Sequence, residues 1–314
     1  MLTRRQLRIK VMQCIYALIQ SKDDSLEKQQ KFLKVSIDNT FTLYLLLISV
    51  FRELHALAKR HVEHTSKKYL AAESPYPNSK KFLENQLLQQ IVDNELFEKE
   101  LKKRKLNLWY LHEDYISLLY KDIEGSDLYQ EYMQTEGSSY EQDREFLIAL
   151  YRQLIAPNDK VYELLEDDKL TWVDDIPLVN TFIVKKLRKM TPDEPKSYLL
   201  PRLLKDSDDL DFARDLLAKT LLHNSAFEKE IVDKTPNWDK DRIAEIDAIL
   251  LKMAICELLH FASIPERVTL NEYLEIAKEY STPKSSIFIN GVLDKLVREY
   301  KAAGKLKKTG RGLL

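Results

Sequence analysis

The chain has 314 residues, 49 basic and 50 acidic side chains and a formal net charge of −1, so any nucleic-acid footprint must be a local patch and not a property of the whole molecule. Six glycines, about 2% of the chain against an average near 7%, include no GxGxxG, GxxxxGK[ST] or GxSxG frame, which excludes the common phosphate loops and the hydrolase elbow. With 32% charged and 44% hydrophobic residues, the composition predicts long amphipathic helices.

Taken in chain order, residues 4–20 carry apolar side chains at Leu7, Val11, Cys14, Ile15 and Leu18, the spacing of a helix. Basic residues before Val11–Ile19 weakly mimic a signal peptide, but Gln20-Ser21-Lys22-Asp23 is no cleavage site. A second long helix is expected from about Ser25 to Thr65, with the stripe Leu33, Ile37, Phe41, Tyr44, Ile48, Phe51, His55, Ala58 and Val62. Its longest apolar run, Phe41 to Phe51, stops at Arg52-Glu53 and is too short to span a bilayer. Ser74-Pro75-Tyr76-Pro77-Asn78 breaks the chain.

Further helices are expected near 80–104, 109–122, 140–156, 177–190 and 208–233. Ser139 and Gln142 form a candidate capping box, Pro177 belongs in a first turn, and Pro192, Pro195 and Pro201 mark an irregular connection. Pro236-Asn237-Trp238 ends a segment, and 239–262 carries the stripe Ile243, Ile246, Leu250, Met253, Ala254, Leu258. Thr269 and Glu272 spell a second capping box, opening a helix that runs to Tyr280; a last helix covers about 285–302. The tail after Gly304, with Lys305, Lys307, Lys308 and Arg311, is expected to be mobile.

At 100° per residue, with Arg5 as origin, Met12 and Tyr16 fall about 20° to either side, Arg8 about 60° away and Arg4 about 100° away. Three arginines thus flank a line ending in an aromatic ring. That suits single-stranded RNA, whose phosphates meet guanidinium groups and whose bases stack on rings; a solvated basic face is the alternative. Lys102-Lys103-Arg104-Lys105 reads as a helix end complementing the dipole. His55, His61 and His64 lack the frame and the further ligands of a metal site, and the acidic stretch 159–175 has no calcium-loop glycine. Cys14 and Cys256 lie in apolar helical patterns, form no CxxC, and fit a reducing compartment. No catalytic residue, metal or cofactor is indicated.

Three segments together resemble the NusB family of transcription antitermination factors. They are Arg4-Arg5 through Arg8 to Val11-Met12-Gln13-Cys14-Ile15-Tyr16; Ala213-Arg214-Asp215-Leu216-Leu217; and the stretch from Trp238 through Asp247, Glu257-Leu258-Leu259, Ile264-Pro265, Asn271-Glu272 and Ala277-Lys278 to Phe288-Ile289-Asn290-Gly291-Val292-Leu293-Asp294. The resemblance covers about 1–21 and 207–302. It implies an all-α, NusB-like helical bundle, enlarged here by a helical insertion over 22–206 and followed by a basic tail over 303–314. It further implies a cytoplasmic, non-enzymatic factor that binds boxA-type RNA of ribosomal-RNA leaders with NusE, a small-subunit ribosomal protein, in the RNA polymerase antitermination complex. By the same resemblance Arg4, Arg5, Arg8, Tyr16, Lys284 and Phe288 face RNA, and Asp247 lies on the NusE-facing surface. Other readings are a NusB-like domain associated with RNA methyltransferases, and a protein-only scaffold without RNA binding. Lys252 stands where an arginine is common in the family and Cys256 where an aromatic is common.

Overall fold

The computed structural model describes residues 1–21, 25–68, 76–235 and 243–309, with the backbone alone for 65–68. The expected break at Ser74-Pro75, the segment end at Pro236-Asn237-Trp238 and the tail glycines Gly310 and Gly312 lie outside the described residues. Among those described there is no β-strand. The fold is all-α.

In chain order the helices are α1 (Arg4–Ser21), α2 (Leu26–Lys68), α3 (Lys81–Glu84), α4 (Gln86–Val92), α5 (Glu95–Lys103), α6 (Leu108–Leu111), α7 (Glu113–Glu124) and α8 (Asp127–Met133). There follow α9 (Tyr140–Leu150), α10 (Asp159–Asp168), α11 (Asp175–Arg188), α12 (Ser207–Leu222), α13 (Asn224–Lys234), α14 (Glu245–His260), α15 (Glu266–Tyr280) and α16 (Ser285–Ala302). A π-helical turn, Tyr151–Ile155, continues α9, and a 3-10 turn, Lys196–Leu199, interrupts the proline-marked connection.

The chain divides into two compact units, Met1–Ile37 with Leu203–Leu314, and Asp38–Arg202. The boundary falls inside α2.

In the first unit α1 packs on α12 and α14, and α14 also meets α13, α15 and α16. Leu7, Val11 and Cys14 of α1 are fully buried, as are Leu216 and Leu217 of α12 and Leu250 and Ala254 of α14. Burial of this kind contributes about 1.5–3 kcal/mol for each large apolar side chain. The middle of α1 is covered on all sides: Arg8, Ile9 and Lys10 are buried along with Leu7 and Val11. The Lys10 ammonium donates to Ser36 Oγ at 3.2 Å.

In the second unit, residues 38–68 of α2 supply much of the core: Leu43, Tyr44, Ile48, Val50, Phe51 and Leu54 have no exposure. This accounts for the composition of α2, which holds a window long and apolar enough to cross a bilayer, 67% of it buried inside the fold. The helix expected over 80–104 is three helices instead. Asn85 accepts from Leu88 N and Asn94 from Phe97 N, so each asparagine caps a new helix. The Ser139–Gln142 capping box opens α9, and Pro177 sits in the first turn of α11. Trp109 and Trp172 are buried, their indole N–H groups donating to Leu46 O (3.0 Å) and Asn39 O (2.8 Å).

Two expectations in the first unit are corrected. α15 begins at Glu266 behind Pro265, one turn earlier than the Thr269–Glu272 reading, because both of those side chains are bonded elsewhere. The tail is anchored through Thr309. Thr309 N donates to Ala262 O at 2.9 Å, and the Lys308 ammonium donates to Glu257 O and Phe261 O, capping the last carbonyls of α14.

Candidate nucleic-acid interface

α1 opens on its basic turn because Thr3 precedes it, with its amide and hydroxyl both donating to Gln6 Oε1. The next side chains are Arg4 and Arg5. Their side chains are 42% and 38% exposed, and they line an open cavity of about 480 Å³ whose wall also includes Thr3, Gln6, Ser263, Pro265, Glu272 and, at its inner side, Arg8.

Each arginine has a principal carboxylate, and Glu272 is shared, its Oε2 also lying 3.7 Å from Arg8 Nη1. Arg4 Nε donates to Asp209 Oδ1 at 3.1 Å. Arg5 makes a fork-to-fork pair with Glu272, both bonds 2.9 Å. The Arg5 hydrogen bond holds the Glu272 carboxyl below its ordinary range, and Glu272 in turn raises the Arg5 guanidinium.

Arg8 departs from the expectation of a phosphate contact. Its side chain is 2% exposed and forks onto Glu257, itself fully buried, with both bonds at 2.8 Å. Thr269 Oγ1 (2.8 Å) and Tyr273 Oη (3.3 Å) donate to the same carboxylate. The guanidinium lies 5.1 Å from the Phe212 ring centroid and 5.8 Å from that of Tyr273. Burial works against its charge, but the hydrogen bond and attraction of Glu257 prevail and the pKa is raised. Arg8 therefore braces α1 against α14 and α15 from inside. Three arginines face three carboxylates, Asp209, Glu257 and Glu272, so the cluster is charge-balanced.

Tyr16 is 41% exposed. It stands about 16 Å along the helix from Arg5, at 1.5 Å per residue. Met12, which the wheel places between them, is 3% exposed, so the expected line is open only at its ends. Lys284 is exposed at the cap of α16, and Phe288, one turn in, is half-buried. Asp247 also departs from expectation. It is 5% exposed, and its carboxylate accepts from Ser281 Oγ at 2.6 Å. Ser281 in turn meets Ser285 Oγ at 3.0 Å, and Ser285 Oγ accepts from Thr282 N at 3.2 Å. Asp247 thus fixes the turn that carries Lys284 and is not itself presented to a partner.

Sequence reasoning missed Glu257, Asp209 and the inner role of Glu272. A signal existed for Glu257, a lone acid within the apolar run Ile255-Cys256-Glu257-Leu258-Leu259. Burial pushes the Cys14 and Cys256 thiols up to about 12, which leaves both inert as nucleophiles near neutrality.

The NusB family model matches residues 181–298. The transcription antitermination protein NusB of Salinibacter ruber is 44% identical over 109 residues, 35% of this chain and 68% of that protein. Its counterpart in Chloroherpeton thalassium is 36% identical over 130 residues, 41% of this chain, and that in Thermodesulfovibrio yellowstonii is 40% identical over 94 residues, 30% of this chain. The chain spans 62% of the length of each of these two. A solved structure, that of T. maritima NusB, is 32% identical and covers 34% of this chain and 78% of its own, with a TM-score of 0.29. On a relative 44% identical over 68% of its own length, the chain belongs to the NusB family.

Proposed function

We propose that this protein is a non-enzymatic transcription antitermination factor of the cytoplasm. In this reading it binds single-stranded boxA-type RNA together with NusE and joins the RNA polymerase antitermination complex. The observation that carries the reading is the open cavity at the start of α1, where Arg4 and Arg5 stand exposed on a rigidly braced helix. RNA phosphates reach these guanidinium groups by taking the place of Asp209 and Glu272, an exchange of one oxyanion for another. Lys284 and Phe288 extend the contact from the start of α16, held in place by Asp247, and Tyr16 offers a ring for a base. Arg8 acts through position, not contact.

Fluorescence anisotropy with a labelled boxA RNA tests this. Binding weakens with salt, and log K against log salt loses about 0.7 of its slope for each phosphate contact removed. Arg4→Ala and Arg5→Ala each flatten the slope by that amount. Wild-type binding by both variants overturns the interface; capture of NusE by a chain that shows no affinity for RNA would favour the protein-only scaffold. Methyl transfer to ribosomal RNA by the purified chain would contradict the non-enzymatic reading.

A further inference from the structure

The segment after α16 returns to the fold beside the arginine cavity. Gly304 turns it, with φ at 64°, a left-handed value that suits glycine. Lys305 N closes on Tyr300 O at 2.8 Å, and Thr309 N reaches Ala262 O at 2.9 Å. Ala262 is followed in the chain by Ser263, Ile264 and Pro265, which form a wall of that cavity. A second route leads to the same place. Lys308 holds the carbonyl of Phe261, whose ring lies 5.4 Å from that of Phe212, and the Arg4 guanidinium stands 5.2 Å from Phe212.

Lys308 is consumed by this anchor, whereas Lys305 and Lys307 are exposed. Lys305 lies over the Tyr300 ring at 5.7 Å, and Lys307 has no ion pair among the described residues. The contrast with the cavity matters. There every arginine is already matched by a carboxylate, so the site has little net attraction for a polyanion, and the whole chain at −1 adds none. Exposed cations on a segment whose Thr309 end is anchored to Ala262, next in the chain to the cavity wall, supply the positive charge the cavity lacks.

We propose that Lys305 and Lys307 form a second cationic segment of the RNA site, engaging phosphates next to those held by Arg4 and Arg5. This rests on the RNA-binding reading given above. The test is the salt dependence of anisotropy for a labelled single-stranded boxA RNA with the full chain, its Lys305→Gln/Lys307→Gln variant and Arg5→Ala. Lys229→Gln, on the exposed face of α13, serves as a charge control. The double variant is expected to lose about 1.4 in slope, which at about 0.1 M salt is about 25-fold in affinity. Photocrosslinking of a 4-thiouridine RNA is expected to label the 305–309 peptide.

If the wild type binds, Arg5→Ala weakens binding and the double variant behaves like wild type, the tail assignment fails and the arginine interface stands. If Lys229→Gln costs as much per charge as the tail changes, the effect is a general field and the tail assignment also fails. If the wild type binds no RNA, with or without NusE, both readings fall together.

Discussion

Replacing Arg8 by Met tests the claim that this arginine is a buried brace. The substitution removes two 2.8 Å bonds and leaves the Glu257 carboxylate fully buried, with only the hydroxyls of Thr269 and Tyr273 as donors. Stranding one partner of a buried pair costs about 3–5 kcal/mol, and two lost ring contacts add about 0.5–1 kcal/mol each at most. A loss of about 4 kcal/mol is expected, against a total stability on the order of 5–15 kcal/mol. With a denaturant slope of about 2 kcal/mol per molar, the urea midpoint falls by about 2 M. Arg8→Met/Glu257→Leu removes both charges and is expected to cost at least about 2 kcal/mol less than the sum of the single changes. Urea unfolding followed by circular dichroism gives the totals. Hydrogen exchange in α1 and α14 peptides assigns the loss to the first unit. An Arg8→Met cost below about 1 kcal/mol, or simple additivity in the cycle, would refute the brace.

Three other outcomes follow from the geometry. The Arg5–Glu272 pair depresses the Glu272 pKa below its ordinary 4.5, so its stabilisation is present above that value and is lost as pH falls through the lower folded value. The stability gap between wild type and Arg5→Ala is therefore steady from neutral pH to about 4.5 and closes below it, measured by urea titrations across pH. Cys14 and Cys256, buried and with thiols near 12, should resist a disulfide reagent at pH 8 in the native protein and both react in urea; rapid native labelling would contradict their burial. Ser139→Ala removes the capping box of α9 and should cost about 1 kcal/mol, read as a shift in denaturant midpoint; Ser139→Asp should retain most of it.

How much was legible in the sequence depended on how local the cause was. Ser139 and Gln142 lie three residues apart and satisfy each other, so their box could be read directly. The limits of α16 matched its apolar stripe for the same reason. Asn85 and Asn94 were missed because the apolar spacing runs on across both, and only the cap bonds reveal that the chain restarts there. Thr269 and Glu272 have the right letters for a box, yet their side chains are claimed by Glu257 and by Arg5, the latter 267 residues away in sequence. A helical wheel set Arg8 beside Arg5 but could not register that α14 and α15 close over it. The arginine positions were therefore found from the sequence, while the difference between exposed Arg5 and buried Arg8 depended on residues at the other end of the chain.

That separation has a consequence for synthesis. Arg8 leaves the ribosome 249 residues before Glu257. At about 5–20 residues per second this is on the order of 10–50 s during which Arg8 lacks its buried counter-charge, and for most of it α12, on which α1 packs, has not been made either. The intervening unit, Asp38–Arg202, is contiguous and can close in that interval. The first unit is thus completed after the second, when α12 to α16 have emerged. A nascent chain stalled before α14 would carry the arginines without the lock that orders them, so the buried Arg8 brace forms only once α14 and α15 have been made.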